Sequence, residues 1–129
     1  MTSRLRRHLI TACMAGLAAL PAAAAYPERT VTLVVPWAPG GSTDILARAL
    51  ADQLSRSLGQ AVIVDNRAGA SGNIGSNVVA KAKPDGYTLL VGAMSTHAMN
   101  PAFMTMPFDG VADFTPIALL SSSSMLLLA

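Results

Sequence analysis

Residues 31–54 run from an apolar stretch, Val31-Thr32-Leu33-Val34-Val35, through a proline-framed Gly40-Gly41 turn, directly into an amphipathic stretch. The β-branched run suits a strand covered on both faces. Ile45 to Leu58 predicts a helix. Leu46, Ala49, Leu50, Leu54 and Leu58 share one side, and Arg48, Asp52, Ser55 and Arg56 lie mostly elsewhere. Ser42 or Thr43 is the natural N-cap, Asp44 suits the helix dipole, and Gly59 supplies the stop. A strand that turns this tightly into a helix leaves the first helical N–H groups without intrahelical partners. The dipole adds partial positive charge there, so the turn can hold an anion without a charged side chain. The same residues also suit a capped turn with no ligand, and at this level both readings stand.

The pattern then repeats. Ala61–Val64 predicts a second strand, Asp65 to Gly72 a loop, and Asn73 to Lys83 a second helix ended by Pro84-Asp85-Gly86. Tyr87–Val91 predicts a third strand, and Ser95–Met104 a short helix interrupted at Asn100-Pro101. Thr115–Leu120 predicts a fourth strand, and Met125–Leu128 opens another apolar run. Alternating strands and helices of these lengths give an α/β fold with a parallel sheet and right-handed crossovers. Ligands of such sheets bind beyond the carboxyl ends of the strands. The turns Pro36–Thr43, Asn66–Gly72 and Gly92–His97 all fall on that edge.

Charge has to be read after setting aside the leader. Arg4, Arg6 and Arg7 precede an apolar stretch of 12 residues, Leu9–Leu20, then Pro21 and the small residues Ala22–Ala25. This is the layout of a secretory signal peptide with cleavage expected after Ala25, and the stretch is shorter than the ~20 residues a membrane span needs. The whole chain carries a formal charge of +2, but residues 26–129 hold six basic and seven acidic side chains. Without a basic patch or interleaved aromatics, nucleic acid is not an expected partner. The single cysteine, Cys13, lies in the leader, so the exported part needs no disulfide. No membrane insertion is expected once the leader is removed.

Several side chains invite a functional reading. Gly40 and Gly41 let the main chain curl around a carboxylate, with Ser42 or Thr43 adding a hydroxyl. No Gly-Lys-Ser/Thr follows at P-loop spacing, and the dinucleotide fingerprint is absent. The loop Gly69-Ala70-Ser71-Gly72-Asn73 repeats the logic at the second helix. Arg67 either meets a carboxylate ligand or clamps nearby carbonyls, the latter being favoured. His97, the one histidine after the leader, can donate a hydrogen bond but has no Ser/His/Asp grouping around it. Trp37 is either a cleft wall or a packing aromatic. One histidine and no cysteine argue against a nitrogen- or sulfur-rich metal site.

The chain resembles the substrate-binding proteins of tripartite tricarboxylate transporters, the Bug family of periplasmic receptors. The resemblance is carried by Tyr26-Pro27, Val35-Pro36-Trp37-Ala38-Pro39-Gly40-Gly41-Ser42-Thr43-Asp44 and Leu58-Gly59-Gln60. It continues through Asp65 to Gly75, Pro84-Asp85-Gly86-Tyr87-Thr88-Leu89, Thr96-His97-Ala98-Met99-Asn100-Pro101 and Asp113-Phe114-Thr115-Pro116-Ile117. It implies a type II-like periplasmic-binding-protein fold of two lobes that close on a small organic acid, with no catalysis and no cofactor. By resemblance, the carboxylate is held by Trp37, Pro39, Gly40, Gly41, Ser42, Thr43 and Asp44, by Ala70, Ser71, Gly72 and Asn73, and by Thr96 and His97. A large and a small integral-membrane transporter subunit are the implied partners. Family members are much longer, so residues 26–129 are expected to form part of the first lobe, with the second lobe missing. The competing readings are a truncated remnant without function and a phosphate-using α/β enzyme, which lacks the lysine clamp it needs.

Overall fold

The computed structural model describes residues 26–122; the leader and the apolar run Met125–Leu128 lie outside the described residues. Three strands, β1 (Val31–Val35), β2 (Val62–Asn66) and β3 (Thr88–Leu90), form a parallel sheet in the order β2-β1-β3. Val31 pairs with Val62 and Val35 with Asn66, while Thr32 to Val34 pair with Thr88 to Leu90. As the central strand, β1 is buried almost throughout, which is what its largely apolar sequence requires.

Helix α1 (Ser42–Leu58) covers the sheet between β1 and β2, and α2 (Asn73–Ala80) follows β2. The core gathers Val31, Leu33, Val35, Ala47, Ala51, Val62 and Val91, with Leu50, Leu54, Leu58 and Trp37 packed against it. The contact line of α1 is therefore set by Ala47 and Ala51, while Ala49, expected inside, is exposed. Small residues let the helix lie close to the strands, and the leucines fill the space on either side. At its C-terminus Gly59 adopts φ 66° and donates its N–H to Ser55 O at 3.1 Å, the left-handed stop read from the sequence.

Other boundaries moved, each for a local reason. The N-cap of α1 is Gly41, not Ser42 or Thr43, and no side chain caps it. Strand β2 runs on through Asp65 and Asn66, because β1 offers ladder partners there. Helix α2 ends at Ala80, where Ala82 N–H bonds Val79 O in a tightened last turn. A π-helical turn (Ser95–Met99) flows into the short α3 (Asn100–Phe103) without interruption. Pro101 lies in the first turn of α3, where its fixed φ suits the helix. The expected fourth strand does not form: Thr115–Leu120 carries no regular structure, with Ile117 78 % and Leu119 88 % exposed. An apolar run without a neighbouring edge has no ladder to join, whatever its propensity.

Candidate functional site

The turns that leave β1, β2 and β3 meet at the carboxyl edge of the sheet. A Cβ on Gly72 would lie 2.6 Å from Thr96 Cγ2 and 3.5 Å from Pro36 Cβ, so three separate loops touch at that glycine. Gly75 is as confined, with Pro36 Cβ and Arg67 O each 2.8 Å from where its Cβ would stand.

At the first turn, Ile45 is the first amide of α1 to find a helical acceptor, Gly41 O at 3.0 Å. The backbone N–H groups of Gly41, Ser42, Thr43 and Asp44 have no acceptor among the described residues. Gly41 and Ser42 are exposed and Thr43 is half-buried, and all three stand at the positive end of a 17-residue helix. Gly40 reaches the turn with φ 88°, a conformation that favours glycine.

Asp44 turns away from this opening. It is 3 % exposed, and its Oδ2 accepts Gly40 N–H at 2.8 Å and Arg48 Nε–H at 3.0 Å. Its Oδ1 accepts Asn66 Nδ2–H at 2.9 Å. The Arg48 bond, then those from Gly40 and Asn66, hold the carboxyl pKa down at about 2, below its ordinary 3.8. Both oxygens are engaged within the protein, and the carboxylate shapes the turn. Trp37 is half-buried against the core, and its carbonyl accepts Asn66 Nδ2–H at 3.2 Å.

The second turn is left-handed for a whole stretch. Gly69, Ala70, Ser71 and Gly72 have φ of 133°, 46°, 55° and 91°, and Gly72 N–H closes the turn on Gly69 O at 3.0 Å. Two non-glycine residues in this region are strained, and such strain persists only where the surroundings enforce it. Asn100 does so: its Nδ2 donates to Ser71 O at 3.0 Å and to Asn73 Oδ1 at 2.7 Å. Asn73 is buried, and its amide donates to Met104 Sδ at 3.0 Å. Ala70 and Ser71 N–H have no acceptor among the described residues, and successive amides in such a turn form an anion-binding concavity. Arg67 Nε–H donates to Asp65 Oδ2 at 2.8 Å, so it clamps a neighbouring carboxylate, not the carbonyls expected.

At the third turn Thr96 is fully buried. Its hydroxyl lies 2.9 Å from Ala93 O and 2.7 Å from His97 Nδ1. The His97 ring packs edge-on to Phe114 with centroids 4.9 Å apart. It borders a shallow 260 Å³ depression with Phe108, Asp109 and Val111, away from the glycine turns. Thr96 thus organises its loop. Arg48, Asn66 and Asn100 were not singled out in the sequence. The Asp44/Arg48 spacing of four residues on one helix was a readable signal; the reach of Asn66 and Asn100 across the fold was not.

Among the described residues, the carboxyl edge of this parallel α/β sheet carries unclaimed main-chain donors, an arrangement that can hold a small anion. The chain belongs to the tripartite tricarboxylate transporter receptor family, whose profile matches residues 46–129. It is 44 % identical over 115 residues to protein BugT of Bordetella pertussis, covering 88 % of this chain and 35 % of that protein. The structure of MatC from Rhodopseudomonas palustris with bound malate superposes with a TM-score of 0.71 at 45 % identity, over 74 % of this chain and 33 % of that one. A second R. palustris structure, with adipate, gives a TM-score of 0.56 at 51 % identity over 57 % of this chain and 25 % of the other. The chain spans about a third of the length of the curated relatives it matches.

Proposed function

We propose that this chain is the carboxylate-gripping part of a periplasmic receptor that delivers a small organic acid to a tripartite transporter. The observation that carries the reading is the set of unclaimed amides from Gly41 to Asp44 at the N-terminus of α1, where the helix dipole favours an anion. The malate and adipate of the two matched structures support a carboxylate as that anion.

In this reading Gly41, Ser42 and Thr43 donate main-chain hydrogen bonds to one carboxylate, and the hydroxyls of Ser42 and Thr43, unused as caps, add to them. Ala70 and Ser71 contribute from the left-handed turn. Gly40, Pro39 and Trp37 set the turn's course, Gly72 and Asn73 its approach to α2, and Thr96 and His97 support the third loop. Asp44 acts by shaping the turn. The protein performs no chemistry on its ligand. The basic, apolar and small-residue zones of residues 1–25 act as an export signal cleaved after Ala25, and the integral-membrane transporter subunits are the partners. Among the described residues no helix is long and apolar enough to cross a membrane.

Calorimetric titration with malate, adipate, citrate and inorganic phosphate tests the reading. At least one organic acid gives saturable heat and phosphate does not. Gly41 has an ordinary φ of −76°, and a Cβ there meets only Ala38 O at 3.8 Å. Gly41→Val therefore keeps the fold and lowers affinity about tenfold or more by blocking access to the amides. Silence across the organic acids, or full affinity in Gly41→Val, contradicts the proposal.

A further inference from the structure

Asp44 poses an electrostatic problem for a helix end that is to receive an anion. Its carboxylate sits in the first turn of α1, beside the amides from Gly41 to Asp44 that have no acceptor among the described residues. An uncompensated negative charge there opposes the partial positive charge of the helix end and repels a second carboxylate. Arg48, one turn along α1, answers it. Its side chain is 54 % exposed, yet its guanidinium is committed twice, through Nε to Asp44 Oδ2 at 3.0 Å and through Nη2 to Asn66 Oδ1 at 3.1 Å. Asn66 closes the ring by donating from Nδ2 to Asp44 Oδ1 at 2.9 Å and to Trp37 O at 3.2 Å.

We propose that Arg48 is a positioning residue for the anion site: it neutralises Asp44 at the mouth of α1 and, through Asn66, fixes the β1 turn against the end of β2. The proposal rests on the carboxylate reading above. The neighbouring charges at the end of β2, Asp65 and Arg67, pair with each other at 2.8 Å. Arg48 is thus the one cation bonded to Asp44 among the described residues. Its planar fork reaches a carboxylate and an amide at once, which a lysine ammonium cannot do from the same stem. The ligand never touches Arg48; it meets amides whose field and position Arg48 maintains.

The test compares the wild-type chain, Arg48→Met and Arg48→Lys. Methionine keeps the apolar stem at an exposed position, so the fold survives. The Gly40 amide proton, bonded to Asp44, reports that carboxylate's titration by NMR. Its midpoint rises in Arg48→Met, and affinity for the organic acid that gives saturable heat falls about tenfold. Arg48→Lys, which keeps a cation beside Asp44, holds the Gly40 midpoint nearer the wild-type value and regains part of the lost affinity, a rescue that a merely structural role does not give. An unmoved Gly40 midpoint in Arg48→Met overturns the proposal, and so does an Arg48→Lys variant no better than Arg48→Met. If the wild-type chain gives no heat with malate, adipate or citrate, the carboxylate reading has failed, and the Gly40 midpoint alone then decides for or against neutralisation by Arg48.

Discussion

Asp44 stands at the third position of α1, and its value there lies in what it accepts, not in its charge. Because its folded pKa of about 2 lies below the ordinary 3.8, its contribution to stability is complete above pH 3.8 and is lost as pH falls through about 2. Urea unfolding followed across that window should show stability dropping with acidification, and Asp44→Asn should flatten the drop. Asp109, held low by the N–H groups of Ala112 and Val111, titrates in the same direction and leaves a residual slope in the variant. Gly75 makes a second prediction at this scale. An alanine there gains about 1 kcal/mol of helix propensity. Its Cβ, however, would stand 2.8 Å from the backbone oxygen of Arg67 and from Pro36 Cβ, neither of which can swing aside. Overpacking of this kind costs about 1–3 kcal/mol, so Gly75→Ala is expected to lower the urea midpoint, and an unchanged midpoint would show that the packing of α2 on Pro36 and Arg67 is looser than described.

Elements whose cause is local were legible in the sequence. β1 follows from a β-branched run that is apolar but for Thr32, and the end of α1 from a glycine placed where the chain must turn left-handed. Elements that depend on a distant partner were not. Asp65 and Asn66 look like loop residues but extend β2 because β1 lies beside them, and Thr115–Leu120 looks like a strand but pairs with nothing among the described residues. The left-handed stretch at Gly69–Gly72 was legible only as a turn, since nothing local in Ala70 or Ser71 announces φ above zero; Asn100 holds them there from 29 residues away. The contrast between strand and unpaired run is measurable. Leu33→Ala, in the buried centre of β1, should cost about 2–5 kcal/mol. Ile117→Ser, 78 % exposed, should change stability by less than about 0.5 kcal/mol. Equal losses at the two positions would mean that Thr115–Leu120 is built into the core after all.

At the scale of the molecule, three turns from three strands converge on one sheet edge and leave main-chain donors open there. The general character of the site was visible in the sequence as glycine-rich turns after apolar strands. Its internal division of labour was not: Asp44, Asn73 and Thr96 serve the loops, while the amides around Gly41 and Ser71 remain free. That division gives the direct test of the central claim, an amide NMR titration of the isotope-labelled chain with whichever of malate, adipate and citrate gives saturable heat. The account predicts saturable shifts at Gly41, Ser42 and Thr43 together with Ala70 and Ser71. Shifts confined to the depression around His97 and Phe108, or no saturable shift at the two glycine turns, would contradict it.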